Sequence, residues 1–262
     1  MSLSNVSFNS STTRHLFAAP AAAAPAAMAE ERLPFTVRLV SNERDVHKAV
    51  SIRHAAYARH LPTLAEKLVM PEATDFEDGV AVLLAESKLD GAPLGTMRIQ
   101  TNRYKPLAIE QSVDLPAWLQ DRPLAEATRL GIEQGHAGGL VKTVMFKAFY
   151  QYCLGAGIEW MVITARRPLD RMYERLMFSD LAAGVGYIPM RHVDNIPHRA
   201  MCLEINTAAQ LWEEAEHPLF GFMTKTHHPD IQVSASHTAM FGKNVYRQPP
   251  ATRRGIEILS QG

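Results

Sequence analysis

An acid and a base lie three residues apart in a short, partly apolar stretch of the chain, at Glu126 and Arg129. A glycine-rich turn follows, and its glycines and the first residue of the long amphipathic pattern behind it are Gly135, Gly138, Gly139 and Leu140. Strand, turn and helix in this order bring backbone N–H groups together at the positive end of a helix dipole. The stretch therefore predicts a site for an anionic ligand, beside a carboxylate that can accept a proton.

Further charged residues upstream could join this site. Alternation along a predicted strand from Leu94 to Gln100 places Arg98 on one face, and a neighbouring strand should carry Arg129. If both arginines point to the same face, they can pair with Glu126 and with an acidic loop. The loop contains Asp75 and Asp78, and the helix before it contains Arg53 and Tyr57. The alternatives are a purely structural ion-pair cluster and, for the two aspartates, a solvated loop.

The composition narrows the classes of function. Of 262 residues, 47% are apolar and 21% are charged, which is ordinary for a globular protein. Lysine plus arginine equals aspartate plus glutamate, at 27 each, so no overall field favours nucleic acid. No run of about 18 apolar residues predicts a membrane-spanning helix. Histidines are frequent, but none has the spacing of a metal site, and we expect no metal.

The cysteines and the first 32 residues bear on localisation. Cys153 and Cys202 lie in apolar surroundings, which predicts two buried thiols in a reducing compartment, so we expect a cytoplasmic protein. Residues 1–32 are rich in Ala and Pro and are predicted to be a disordered tail. The alternative is a signal peptide, because Arg14 precedes a run of small residues.

The elements that must position these residues follow from periodicity. The predicted order is β-α-β-β, an insert, then β-α-β-α-β-β, within one domain at residues 33–206. The insert is expected to hold a short helix around Trp118. A helical and irregular extension, residues 207–262, should pack on the domain, and Thr207 with Gln210 forms a capping-box pattern at its start.

Four short motifs occur in order, and together they carry a family resemblance. They are Arg53-x-x-x-Tyr57, Asp75-x-x-Asp78, Gly95-Thr-Met-Arg98 and Glu126-x-x-Arg129. Their spacing resembles that of the acyl-homoserine-lactone synthases and the N-acyl amino acid synthases, both of the Gcn5-related N-acyltransferase (GNAT) superfamily. His217-Pro-Leu-Phe and His228-Pro-Asp-Ile resemble the N-acyl amino acid synthases in particular.

The resemblance implies an α/β enzyme of the GNAT-like fold, with a central mixed β-sheet and helices on both faces. It implies transfer of a long-chain fatty acyl group from a carrier thioester to the amine of an amino acid. Glu126, acting through a water, would be the base, and Arg98 and Arg129 would complete the catalytic group. Substrate would be bound by Arg53, Tyr57, Asp75 and Asp78. The acyl-phosphopantetheine co-substrate would lie on Gly135, Gly138, Gly139 and Leu140, with no permanently bound cofactor.

The donor's identity depends on the glycine turn. The turn lacks the extra basic residue of the superfamily's usual loop and has His136 instead, which favours an acyl carrier protein over coenzyme A. Acyl carrier proteins are acidic, and a candidate basic docking surface consists of Lys142, Lys147, Arg166, Arg167, Arg171 and Arg175. An ordinary solvated face is the alternative, because Asp170 and Glu174 are interleaved with the basic residues. The lipid product could bring the protein into peripheral contact with a membrane.

Two other functions stay open. One is an acyl-homoserine-lactone synthase that uses S-adenosylmethionine, although Tyr57 stands where those enzymes usually carry Phe, and the Trp that usually follows is absent. The other is a non-catalytic acyl-carrier or lipid-binding module, which would be free to lose Glu126 or Arg129.

Overall fold

A computed structural model gives the fold of residues 28–135 and 137–234. Of the tail predicted for residues 1–32, residues 1–27 lie outside the described part of the chain. Residues 235–262 of the predicted extension also lie outside it. The structure therefore bears on the predicted domain and on the first part of the extension.

Most of the strands belong to one mixed sheet. The described residues form β1 Ala29–Glu30, β2 Phe35–Leu39, β3 Val80–Ser87, β4 Pro93–Thr101, β5 Leu124–Ile132, β6 Trp160–Ala165, β7 Ser179–Asp180, β8 Tyr187–Met190, β9 Ile196–Glu204, β10 Thr226–His227 and β11 Ile231–Gln232. The sheet order is β11-β2-β3-β4-β5-β6-β9-β7, with β8 also paired to β9, and β1 pairs separately with β10. Within the large sheet, β5–β6 and β11–β2 are parallel and the other pairs are antiparallel.

Five α-helices lie among the described residues. They are α1 Glu43–Ala58, α2 Pro62–Glu66, α3 Gly138–Ala156, α4 Leu169–Arg175 and α5 Ile205–Glu214. Short 3₁₀ helices span Ala73–Phe76, Ala108–Gln111 and Arg191–Val193, and a π-helical turn spans Gly221–Lys225. Asn42 caps α1 by accepting the Asp45 N–H. Gly157 ends α3 in the left-handed conformation, at φ 66°, which glycine adopts without strain.

Helices cover both faces of the sheet. Along β3, Ala81, Leu83 and Ala85 face a core shared with α3, whereas Val82 and Leu84 pack against α1 on the other face. A strand buried on both faces needs apolar residues at consecutive positions, and β3 has them from Val80 to Ala85. The mixed sheet between two helical layers confirms the predicted fold class.

Two neighbouring strands separate at the centre of the sheet. β5 pairs with β6 only from Leu124 to Ala127, and beyond that point β5 pairs with β4 alone. The end of β6, at Thr164 and Ala165, pairs with β9 instead. The gap between the diverging ends of β5 and β6 exposes backbone and side chains of both strands. We call it the splay.

Two local predictions are wrong. Residues around Trp118 form turns instead of a helix, because Pro116 and Pro123 confine the segment to isolated turns such as Leu119 N–H to Pro116 O, and the insert's helical turn is Ala108–Gln111. The capping box is also misplaced. α5 starts at Ile205, so Thr207 lies inside the helix, where its hydroxyl donates to Glu204.

Both cysteine thiols are buried, as the sequence analysis predicts. Cys153 and Cys202 are free and buried, in cores on opposite faces of the sheet, and burial raises the pKa of both thiols. Across residues 28–135 and 137–234, no helix combines the length and hydropathy needed to cross a membrane.

Candidate active site

Three arginines converge on one glutamate at the edge of the splay. Arg129 donates to Glu72 through Nε at 2.8 Å and Nη2 at 2.7 Å, in a bidentate pair. The same carboxylate accepts from Arg98 Nη1 at 3.1 Å and from Arg53 Nη1 at 3.2 Å. Asp75, behind it, holds Arg53 with two hydrogen bonds of 2.8 Å. Side chains from α1, β4 and β5 are thus fixed together by one short 3₁₀ segment.

The electrostatics of the cluster keep Glu72 ionised. Burial opposes its ionisation, but the hydrogen bond from Arg129 and the charges of Arg98, Arg129 and Arg53 outweigh burial and lower its pKa to about 2. Glu72 lies at the start of the acidic loop, and the sequence analysis did not single it out. Asp78, which it did single out, is exposed and lies apart from the arginines. The loop has four carboxylates, and the backbone conformation of the loop determines which of them face the arginines.

A β-bulge turns Arg129 toward this cluster. Thr96 pairs with Gly131 and Arg98 with Thr128, so β5 holds one extra residue between these pairs. Arg129 sits in that extra length with φ at 55°, a conformation that costs a non-glycine residue about 1–3 kcal/mol. Regular alternation would place Thr128 and Arg129 on opposite faces. The strain is offset by the pair with Glu72.

Glu126 is fully buried inside the sheet. It pairs with Gln100 on β4 and Val162 on β6, and its Oε2 accepts the Ile109 N–H of the insert at 3.0 Å. Burial raises its pKa to about 7, against the opposing hydrogen bond from Ile109. The carboxyl group therefore fixes the insert to the sheet.

Three cavities lie in series beside the cluster. The apolar cavity, about 400 Å³, is lined by Leu130, Phe146, Phe149, Met172, Leu176 and Leu219 among others. The splay cavity, about 250 Å³, includes Tyr57, Thr128, Arg129, Lys142, Thr164 and His192. The polar cavity, about 510 Å³, includes Glu72, Arg98, Lys105, Glu110, Arg129 and His192. Glu126 lines none of these three cavities.

The cavities adjoin one another, because neighbouring cavities share lining residues. Ala127, Leu130 and Tyr173 line both the apolar and the splay cavity. Arg129 and His192 line both the splay and the polar cavity. An apolar chain, a reacting centre and a polar group could therefore lie along one path, with the reacting centre at the splay. His192 is a second residue that the sequence analysis missed, because a histidine between two turns carries no spacing signal.

The glycine turn leads into α3 beside the splay. The N-cap residue, Ala137, has no side-chain acceptor, so no capping side chain competes for the N–H groups of the first turn. A Cβ at Gly138 would lie 3.1 Å from the Glu133 carbonyl oxygen, whereas Gly135 and Gly139 face open space. None of these three glycines has a positive φ. They permit close approach to the backbone and do not supply an unusual conformation.

The prediction that Lys147 belongs to the basic docking surface is wrong. Its side chain is fully buried, and its Nζ bonds to the Thr226 carbonyl at 2.6 Å and to His228 Nδ1 at 2.9 Å. Burial lowers the pKa of Lys147 to about 8. The lysine therefore anchors the C-terminal segment on α3. The same segment begins at His217, whose Nε2 lies 2.6 Å from the Arg175 carbonyl of α4, beside the apolar cavity.

Comparisons with known proteins agree with this geometry. A family model described as N-acyl amino acid synthase FeeM matches residues 48–204. FeeM itself, an N-acyl amino acid synthase from uncultured soil microbes, has a similar solved structure, with a TM-score of 0.55 and 18% identity over 69% of this chain and 96% of that chain. No curated protein sequence is similar enough to count as a match.

Two further solved structures are similar at lower scores. One is BjaI, a CoA-dependent acyl-homoserine lactone synthase solved with SAM and isopentyl-CoA, at 15% identity over 74% of this chain and 93% of that one, TM-score 0.48. The other is an aminoglycoside N(6′)-acetyltransferase from Legionella pneumophila subsp. pneumophila, at 12% identity over 68% and 96%, TM-score 0.45.

The fold, with its splayed central strands, is of the GNAT-like class. Within that class, the family match extends over more than half of the 262 residues. The chain belongs to the N-acyl amino acid synthase FeeM family.

Proposed function

We propose that the protein transfers a long-chain fatty acyl group from a phosphopantetheine thioester to the amine of an amino acid. The observation that carries the proposal is the apolar cavity, which shares lining residues with the splay cavity and has the size of a small-molecule site. Each buried methylene group contributes about 0.8 kcal/mol, so a long chain would supply most of the donor's binding energy. An acetyl group would leave this cavity empty.

The thioester would lie in the splay cavity, with the phosphopantetheine arm along the glycine turn. Gly135 and Gly139 leave room for the arm, and the N–H groups at the start of α3 favour an anionic phosphate. Leu140 is exposed in the first turn and could pack against the arm. The diverging ends of β5 and β6 support this placement, because their unpaired backbone groups can bind the amide groups of the arm.

The acceptor amino acid would enter from the polar cavity. Arg129 is nearly buried, and its Nη1 has no partner among the described residues, so it can bind the substrate's carboxylate. Arg53, Asp75 and Arg98 hold the guanidinium group and Glu72 in place. Tyr57 lines the splay cavity beside Arg129 and would contact the reacting groups. We assign Asp78 no contact with substrate in this arrangement.

The donor is proposed to be an acyl carrier protein. Arg167, Arg171 and Arg175 are exposed on and next to α4, and Lys142 and Arg166 are half-buried at the mouth of the splay. The acidic surface of a carrier protein would complement these charges.

The direct test is a transfer assay with purified protein. Palmitoyl carrier protein or palmitoyl-CoA is incubated with an equimolar mixture of the twenty amino acids, and products are identified by mass spectrometry. We expect N-palmitoyl amino acids, with a higher kcat/KM for the carrier-protein donor. The proposal is contradicted if folded wild-type protein only hydrolyses the donor, or does not consume it.

A further inference from the structure

His192 lies where the proton of the reaction must be taken up. The residue is in the short 3₁₀ helix Arg191–Val193, and it lines both the splay cavity and the polar cavity. Under the proposed function, the thioester carbonyl is in the first cavity and the acceptor amine comes from the second. A group on the shared wall can contact the nitrogen as it attacks.

The ring is held in a defined orientation. Its Nε2 lies 3.3 Å from Thr164 Oγ1 at the end of β6. The backbone carbonyl of His192 accepts a hydrogen bond from Arg129 Nη2 at 3.2 Å, which fixes the residue against the cluster. With the ring proton on Nε2 and donated to Thr164, the lone pair of Nδ1 is free. This buried nitrogen has no partner within the described residues, as expected of a group that awaits a substrate.

The charges around His192 keep its imidazole neutral. Burial lowers its pKa to about 4, and Arg129, His198 and Arg98 add to the effect, whereas Glu72 opposes it. At pH 7 the ring is therefore neutral, and its Nδ1 lone pair carries no proton. A substrate carboxylate bound at Arg129 would offset part of that positive charge. Acceptor binding would then make His192 more basic at the moment of reaction.

Glu126 is less well placed for this role. Its carboxyl group lines none of the three cavities; Oε2 accepts the Ile109 N–H, and Oε1 is buried without a partner among the described residues. A general base has to lie within hydrogen-bond reach of the proton it removes, directly or through one water. His192 meets that condition on both cavities.

We propose that His192 accepts the proton of the attacking amine, with Thr164 as the positioning residue for its ring; this inference rests on the proposed function. The neutral amine forms a bond to the thioester carbon, and the C–S bond breaks. The nitrogen's proton passes to Nδ1 and then to the departing thiolate. The imidazole ends neutral, and the products are an amide and a free thiol.

The test compares His192→Gln with the wild type. Glutamine keeps a polar side chain but cannot take up a proton at neutral pH. His47→Gln, at an exposed position on α1, is the matched control. With palmitoyl carrier protein and the amino acid mixture, kcat is measured from pH 6.5 to 9, together with the thermal midpoint of each protein.

We expect kcat of His192→Gln to fall about 10²–10⁴-fold at pH 7, the usual effect of a lost general base. Hydroxide should then take its place, so the variant's kcat should rise with pH about tenfold per unit more steeply than the wild type's. The donor KM and the His47→Gln control should not change. If kcat falls but keeps the pH dependence of the wild type, His192 has a structural role and the assignment is overturned. A kcat within about threefold of the wild type overturns the assignment as well.

Two further outcomes are decisive. If His192→Gln does not fold, Thr164→Val is used instead, and a kcat within about twofold of wild type overturns the assignment, because the ring would then need no orientation. Wild-type protein that makes no N-acyl amino acid overturns the proposed function and the assignment with it. Active wild type with an insensitive variant overturns the assignment alone.

Discussion

Glu72 holds the candidate site together at the level of single residues. Its carboxylate contacts Arg53, Arg98 and Arg129, which come from three different elements. Removing one partner of such a cluster is costly, because it leaves buried positive charges without compensation. Arg129, which we propose binds the acceptor's carboxylate, is held in its strained conformation by this carboxylate and by the His192 carbonyl.

Glu72→Gln should destabilise the protein at pH 7 and remove part of its acid sensitivity. The folded pKa of Glu72, about 2, lies below its ordinary value of 4.5. Its ionised form therefore stabilises the fold fully above about pH 4.5, and this stabilisation is lost as the pH falls from 4.5 toward 2. The shift corresponds to about 2 kcal/mol after allowance for solvent screening.

Urea unfolding at pH 3.5, 5 and 7 measures this effect. The difference between wild type and Glu72→Gln should be largest at pH 7 and should shrink at pH 3.5. Glu77→Gln, in the same loop, serves as the control and should have little effect. A constant difference at all three pH values would show that Glu72 acts through packing and not through its charge.

Residue types identified part of this site, and contacts identified the rest. Spacing was enough to predict that Arg98 and Arg129 lie on adjacent strands, and the structure places them there. It was not enough to choose Glu72 from the carboxylates of one loop. Nor could it show that Glu126 is enclosed by the insert, since Ile109 meets it across 17 residues of irregular sequence.

Among the elements, the apolar cavity depends on the segment that follows α5. Leu219, at the start of that segment, forms part of the cavity wall, and Lys147 fastens the segment to α3 farther along. The length of acyl chain that fits should therefore be set partly by this short segment. Hydrophobic periodicity predicted α3 and α4, which also line the apolar cavity. It could not predict the segment after α5, because an irregular segment has no periodic pattern.

Leu219→Trp should shift the preferred donor to shorter acyl chains. The larger side chain occupies space in the apolar cavity, and each methylene group it excludes costs about 0.8 kcal/mol, or about fourfold in kcat/KM. Relative kcat/KM for C8 to C16 donors measures the shift. Leu154→Trp, at an exposed position on α3, is the control. An unchanged chain-length profile in Leu219→Trp would mean that the acyl chain lies elsewhere.

The strands that border the splay were predicted only in part from the sequence. Hydrophobic periodicity predicted the order of the longer strands and helices, but not α2 or the two-residue strands β1, β7, β10 and β11. The bulge at Arg129 could not be foreseen, because its one extra residue becomes visible only when β4 and β5 are paired. A slip of one residue changes the face of every side chain that follows.

For the whole molecule, the distribution of charge matters more than its sum, which is zero. Arg167 and Arg171 are exposed near the mouth of the splay, where a carrier protein would dock. Contacts of this kind act mainly on association rates and weaken with salt.

Arg167→Glu with Arg171→Glu should therefore raise KM for palmitoyl carrier protein about tenfold or more. KM for palmitoyl-CoA should change much less, because that donor needs no protein surface. The control is Arg44→Glu, an exposed charge reversal on α1. Equal effects on both donors, or no salt dependence of the carrier-protein KM, would contradict docking at this surface.

The most direct measurement of the central claim is mass spectrometry of lipid extracts from cells that produce the protein. Such cells supply acyl thioesters and amino acids at natural concentrations. Our account predicts new N-acyl amino acids with long acyl chains, and their absence from cells that produce the Arg98→Ala, Arg129→Ala double variant. New acyl-homoserine lactones in place of N-acyl amino acids, or no new lipid from well-folded protein, would contradict it.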